Sequence, residues 1–362
     1  MNKKTVIISL SGIGNTILAT PFMERLRSIV GGEIEIVLLN VGLGKMLKDS
    51  GLVDGYSIFR KNILANLILL IKLHRKKFDY SFTTFPSNRA GFNVLTFLIS
   101  AKNKVSHSYK GGFFRLDFLI NKKVKSDPKI HDLEQNLNLL KILGVDCAYQ
   151  VYSLKWNNSK NIKTVNKFIE DNCLKDKFLI GIHPGGGGFW NKDWQGCKKR
   201  WPLEKFAELS QRLIKDKDSC ILIFGGAEES SLKNRLVDYI EDRAKVFIVD
   251  SQPLESTALL IKRCKLFISN DTGLMHLSAA LSVPTLGIFG PSNYVRTAPR
   301  GKNSFYILSK VDCSPCLRYP FYSSKSSIDC SKELACLKGI SVDNVYNKLK
   351  IEGLIQDDKR GI

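Results

Sequence analysis

Short apolar runs rich in β-branched residues alternate along the chain with longer segments whose apolar positions recur at helical spacing, and Gly, Asn and Asp punctuate the joins. In the first half the strand-like runs are Thr5 to Leu10, Glu33 to Leu39 and Asp79 to Thr84. A helix is predicted from Thr16 to about Val30 with Pro21 in its first turns, another around Gly91 to Ser100, and an amphipathic one over His131 to Gly144 with a glycine stop. The second half restarts the alternation. Its strands are Phe178 to Ile182, Cys220 to Phe224, Leu266 to Ser269 and Thr285 to Phe289, with helices from Leu203 to about Ile214 and over Met275 to Ala280. Strand and helix in turn predict parallel sheets covered on both faces, an α/β fold. A chain of 362 residues outgrows one comfortable core, and Val145 to Lys177 is polar and irregular before a short helix. Two domains are therefore expected, residues 1–158 and 159–362, without an evident sequence repeat between them.

Ligands of open α/β sheets lie beyond the carboxyl ends of the strands, where helix starts present unpaired N–H groups, so the turns after the predicted strands carry the candidate chemistry. Asn270-Asp271-Thr272-Gly273 ends one apolar run. Asp271 and Thr272 would stand at that edge, Gly273 lets a ligand come close, and His276 can face the same pocket one turn into the helix. A helix cap with a half-buried histidine would use the same residues. After Ile182 comes His183-Pro184-Gly185-Gly186-Gly187-Gly188, either a loop whose amides suit a diphosphate or a plain loss of side-chain order. Lys198-Lys199-Arg200 precedes Trp201-Pro202 and a helix start, where cations can neutralise a phosphate leaving group. In Gly225-Gly226-Ala227-Glu228-Glu229, a carboxylate could take the hydroxyls of a ribose or cap the next helix. Ser11-Gly12-Ile13-Gly14-Asn15 is like a nucleotide-binding turn but lacks its third glycine. Asp216-Lys217-Asp218 has the spacing of a metal-binding D-x-D, yet it lies before a strand, at the wrong end for the ligand crevice, and reads as a solvated turn.

Composition narrows the partners. With 44% hydrophobic and 25% charged residues the chain is globular, but its formal charge of +21 implies an acidic partner. Zinc-finger spacing, an RNP-like strand and a recognition helix are all missing, so nucleic acid is not expected. Phosphorylated substrates and the anionic inner membrane face fit better. Asn62 to Lys77 is very apolar with a basic end and too short to span a bilayer. A buried packing helix is the first reading of it and a monotopic membrane contact the sharper one. The basic, aromatic stretch Lys102 to Lys125 could extend such a surface or grip an anionic acceptor. Met1-Asn2-Lys3-Lys4 runs directly into the first strand without a signal-like apolar region, so a cytoplasmic, peripheral location is expected. The nine cysteines fit reduced thiols. Cys313, Cys316, Cys330 and Cys336 have the first half of a zinc-ribbon spacing and a looser second half, and no metal is assigned to them.

Taken together, SGIGNTILATP, HPGGG followed by KRWP, FGGAEE and NDTGLMHLSAALSVPTLGIFGP resemble the ADP-heptose:lipopolysaccharide heptosyltransferases, glycosyltransferase family 9. The resemblance covers nearly the whole chain. It implies a GT-B fold of two Rossmann-like domains, the first for the acceptor and the second for the nucleotide sugar, and metal-independent transfer with inversion. It implies that Lys199 contacts the donor diphosphate beside Gly185, Gly186 and Gly187, and that Glu229, or Glu228 in the other register, binds the ribose. Gln252 falls near the adenine, and Asp271, Thr272, Gly273 and His276 hold the sugar and phosphate end. No cofactor is implied beyond the donor, ADP-heptose or another nucleotide sugar; the acceptor would be lipid-linked or lipopolysaccharide core. Gly12, Gly14 and Asn15 form the acceptor-side turn, where well-known members carry an aspartate proposed as the general base. An amide cannot take a proton at neutral pH, so Asn15 can only orient a hydroxyl. Asp271, His107 or the departing phosphate is left to accept it, or the acceptor differs. A sugar-nucleotide epimerase and a non-catalytic binding relative are the rival readings.

Overall fold

The computed structural model describes residues 3–109, 115–148, 150, 151–156, 161–186, 198–250, 252–317 and 330–355. The chain divides into two compact units, one built on residues 1–150 and the other on residues 158–318 and 325–362, with residues 151–157 shared between them.

The first unit winds β1 (Thr5–Ser9), α1 (Ile13–Leu18), α2 (Thr20–Val30), β2 (Ile34–Leu38), α3 (Val41–Asp49), β3 (Gly55–Ile58), α4 (Ile63–Arg75), β4 (Tyr80–Thr83), α5 (Ala90–Ile99), β5 (Asn103–Ser108), β6 (Lys122–Lys125) and α6 (Asp132–Asn138). Its six strands are parallel in the order β3-β2-β1-β4-β5-β6. The apolar sequences of β1 and β2 are buried throughout, as both faces of a helix-covered parallel sheet require. Val6, Ile8, Val37, Phe78, Leu95 and Ile99 form part of the core between sheet and helices.

The second unit repeats the winding after α7 (Ile162–Asp171). It runs β7 (Phe178–His183), α8 (Leu203–Lys217), β8 (Ser219–Ile223), α9 (Ser230–Asp238), β9 (Val246–Ile248), α10 (Leu254–Arg263), β10 (Leu266–Asn270), α11 (Gly273–Ala280), β11 (Thr285–Phe289), α12 (Tyr294–Thr297), β12 (Ser304–Leu308), α13 (Ala335–Lys338) and α14 (Val342–Ile351). The order is β12-β11-β10-β7-β8-β9, again all parallel. Counted from its own first strand, each sheet thus reads 3-2-1-4-5-6, and strand order reverses beside β1 in one and beside β7 in the other. Those are the positions at which doubly wound sheets open a ligand crevice.

Three local expectations change. The helix predicted from Thr16 begins at Ile13 and breaks at Ala19, because Pro21 near the start of α2 has no N–H with which to continue the previous turn. The helix predicted over His131 to Gly144 is α-helical only to Asn138. His131 and Glu134 box its start, and a 3-10 turn over Leu139–Leu143 carries it to Gly144 at φ 74°.

The third correction concerns Asn62 to Lys77, expected first as a buried packing helix. α4 buries Leu73 and half-buries Leu69 and Leu70 against the sheet, but its opposite face is apolar too and stands in solvent. A helix that is apolar all round needs cover on every side, and this one is covered on one. No helix among the described residues is long and apolar enough to cross a membrane. Asp216 and Asp218 sit at the amino end of β8, where Asp216 accepts from the Tyr346 hydroxyl at 2.8 Å and Asp218 pairs with Lys245 at 2.6 Å.

Candidate active site

In the second unit the residues of interest collect beyond the carboxyl ends of β7 and β10, neighbouring strands at the reversal of strand order. β10 ends at Asn270, a buried side chain that acts as a clamp. Its Nδ2 donates to the carbonyls of Pro184 and Gly185 at 2.9 and 2.8 Å, and its Oδ1 accepts from the Trp201 backbone N–H at 3.0 Å. A single amide thereby ties Pro184 and Gly185, just after β7, to Trp201, two residues beyond Lys199.

Asp271 follows, 8% exposed, and receives Lys199 Nζ at 2.8 Å across 72 residues of sequence. Burial pushes the Asp271 carboxyl upward, but the Lys199 ammonium outweighs it and holds the group below the usual carboxylate range. The site therefore keeps a buried anion at neutral pH. Thr272 caps α11 by accepting from the Met275 N–H at 3.4 Å, and Gly273 opens the helix with backbone amides directed outward from the strand edge. His276 lies one turn in. Burial pushes its imidazole down to about 4 despite the attraction of Asp271, so the ring is neutral at pH 7, and among the described residues its buried Nδ1 has no hydrogen-bond partner.

A second network adjoins this one. His183, the last residue of β7, places Nδ1 2.9 Å from the Thr272 hydroxyl and Nε2 3.0 Å from Glu229 Oε2. Glu229 Oε2 also accepts from the Gly226 N–H at 3.0 Å. Burial would raise this carboxyl, but the His183 hydrogen bond, the Gly226 amide and the positive charge of Arg200 hold it below its ordinary value. A Cβ on Gly185 would fall against both the Glu229 carboxylate and the His183 ring, so glycine is required there by the site's own side chains.

The structure thus brings together Lys199, Asp271, Thr272, Gly273 and His276, and sets Gly185, Gly186 and Glu229 beside them. Gly187 lies outside the described residues. Glu228 is exposed, and half-buried Gln252 stands after β9 at the far side of the same strand edge. His183 and Asn270 were missed as functional side chains. Their only trace in sequence was position, each the last residue of an apolar run ending in a turn.

In the first unit the turn after β1 holds Gly12 as the cap of α1, buried Gly14 and half-buried Asn15. The Ser9 hydroxyl links those of Thr16 and Thr84 at 2.9 and 3.0 Å, pinning this turn to the end of β4 at the reversal of the first sheet. His107 is different. It is 2% exposed, its Nε2 donates to the Gln135 carbonyl at 2.9 Å, and burial pushes it down to about 4. Without exposure to a solvent-borne hydroxyl it drops out as a proton acceptor. Among the described residues no group of three or more His, Cys, Asp or Glu side chains is arranged to hold a metal ion.

Residues 92–325 match the family model of glycosyltransferase family 9 (heptosyltransferase). The chain belongs to glycosyltransferase family 9. Within the family, lipooligosaccharide heptosyltransferase 2 of Campylobacter jejuni serotype O:2 is 33% identical over 146 residues, which are 39% of this chain and 43% of the relative. The chain therefore spans less than half of that relative's length. Among solved structures, a family 9 glycosyl transferase of Veillonella parvula superposes with a TM-score of 0.76 at 23% identity, covering 97% of each chain. E. coli ADP-heptose lps heptosyltransferase II gives 0.74 at 19% identity, covering 96% of this chain and 98% of its own. At these identities the likeness carries the fold: two parallel six-stranded α/β units, as in the GT-B heptosyltransferases.

Proposed function

We propose that the protein transfers a heptose from ADP-heptose to a hydroxyl of a lipopolysaccharide-core acceptor, with inversion and without a required metal, at the inner face of the cytoplasmic membrane. The observation that carries this reading is the Lys199, Asp271 and His276 group at the switch point of a nucleotide-binding type of sheet, in a chain of family 9. The names of its relatives, heptosyltransferases acting in lipopolysaccharide and lipooligosaccharide assembly, support the donor and acceptor.

In this reading Lys199 and the opening amides of α11 meet the donor diphosphate, and the negative charge that grows on it as the sugar departs is neutralised by groups already in place. Lys199 supplies at that point the cation that a divalent metal supplies elsewhere. Glu229, oriented by His183 and the Gly226 amide, takes the ribose hydroxyls, and Gln252 lies toward the adenine. Asp271, Thr272 and neutral His276 hold the sugar. The acceptor oxygen attacks the anomeric carbon from the side opposite the diphosphate; that C–O bond forms as the bond to the phosphate oxygen breaks. Asn15 orients the hydroxyl, and its proton passes to the departing phosphate, because Asp271 is already held as the counter-ion of Lys199.

The test is incubation of the full chain with ADP-heptose and a heptose-deficient lipopolysaccharide core, with and without a chelator. Expected are equimolar ADP and a core heavier by one heptose with inverted anomeric configuration, at a rate the chelator leaves unchanged. Asn15→Asp, which restores a base at the turn, should raise kcat. Conversion of the donor to an epimeric nucleotide sugar in the absence of acceptor, read by NMR, would make the protein an epimerase and overturn the reading.

A further inference from the structure

Among the described residues, the exposed large apolar side chains gather most densely on the outward face of α4. Ile63, Leu64, Leu67, Ile68 and Ile71 are 51–78% exposed and follow one another at helical spacing, so they form a single stripe along the helix. The stripe continues onto α5, which packs beside α4 and turns Val94, Phe97 and Leu98 outward. His74 Nδ1 ties the two helices at the Leu98 carbonyl, 3.1 Å away. Soluble proteins seldom leave such a contiguous apolar patch without a partner for it.

The surrounding charge says what that partner is. Between Gly55 and Leu116 there are eleven Lys and Arg residues and one acid, Asp79, which is itself engaged by Lys102 and by the Lys4 amide. Arg60 and Lys61 stand at the start of α4, and Lys72, Arg75 and Lys77 at its end, all exposed. An apolar stripe bracketed by cations, with no acidic residue in α4 or α5 and with Glu33 and Glu35 at its end taken up by Lys76, matches an anionic bilayer: the side chains enter the headgroup and acyl boundary while the cations meet phosphates. It does not match a second copy of itself, whose facing cations would repel.

We propose that α4 and α5 form the membrane-docking face of this protein, lying in the plane of an anionic phospholipid leaflet. The inference deepens the lipid-linked-acceptor reading above by naming the surface that brings the enzyme to that acceptor.

The test is co-sedimentation of the full chain with vesicles of phosphatidylethanolamine and phosphatidylglycerol, beside vesicles of phosphatidylcholine, without donor or acceptor. The wild-type protein should partition to the anionic vesicles, at least tenfold more weakly to the neutral ones, and progressively less with added salt. Leu64→Ser/Ile68→Ser and Leu64→Glu/Ile68→Glu should each lower partitioning at least tenfold with an unchanged melting temperature and unchanged transfer to a water-soluble truncated core. Unchanged partitioning in both variants would overturn the proposal, as would a wild-type chain that ignores anionic vesicles. A wild-type dimer that becomes monomeric in the variants at constant vesicle binding would assign the face to a second copy instead. Because the soluble-acceptor assay is read separately, failure of docking leaves the transferase reading standing, and the reverse holds.

Discussion

Replacing Lys199 by Ala strips a buried carboxylate of its counter-ion and the proposed donor site of its cation. At 2.8 Å and an effective dielectric near 20, the attraction between the two charges is about 6 kcal/mol before desolvation is counted. The Lys199 side chain is 34% exposed, so water screens part of that, and a net loss of roughly 2 kcal/mol in folding stability is the reasonable expectation. The sign of the Asp271 shift should also reverse. With the ammonium gone, burial dominates and the carboxyl rises above its ordinary value instead of lying below it. For turnover the comparison is removal of one preorganised charge-stabilising group, on the order of 10²–10³ in kcat. The assay pairs ADP release under saturating donor with urea unfolding of the same preparations. Asp271→Asn and the double variant close the cycle, and coupling near 2 kcal/mol between the two positions is expected. A Lys199→Ala enzyme with wild-type kcat and an unshifted unfolding midpoint would refute both the pairing and its role.

Gly185→Ala should disturb the site without removing any of its chemistry: the new methyl displaces Glu229 or His183, and a rise in KM for the donor of about tenfold or more is expected in initial-rate measurements. His107 and His276, each pushed from 6.5 to about 4, make the unfolded chain the better proton binder between those pH values. Their contribution is complete above pH 6.5 and is lost as pH falls toward 4, by roughly 3 kcal/mol each. Urea midpoints followed from pH 8 to pH 5 should be flat and then fall, and His107→Gln should flatten the fall in the first unit; a midpoint indifferent to pH would contradict their burial.

Alternation of apolar runs with helical spacing located β1, β2, β4, β7, β8, β10 and β11, whose residues are buried on both faces; β3, β5, β6, β9 and β12 went unassigned because they lie at or next to the sheet edges, where partial exposure leaves no continuous apolar run. The turns after β1, β7, β8 and β10 were equally legible, because a buried strand must end in residues that reverse the chain, and a parallel sheet aligns those ends along one edge. What the sequence did not contain was which turn touches which. Lys199 meets Asp271 across 72 positions, His183 meets Thr272 across 89 and Glu229 across 46, and Asn270 holds Trp201 across 69. Those contacts depend on strand order, and strand order follows from helix packing and crossover handedness over the whole sheet. The same limit explains α4. Its composition announced an apolar helix, but only the packed sheet shows that one side of it is used and the other, ringed by lysine and arginine, is left facing outward.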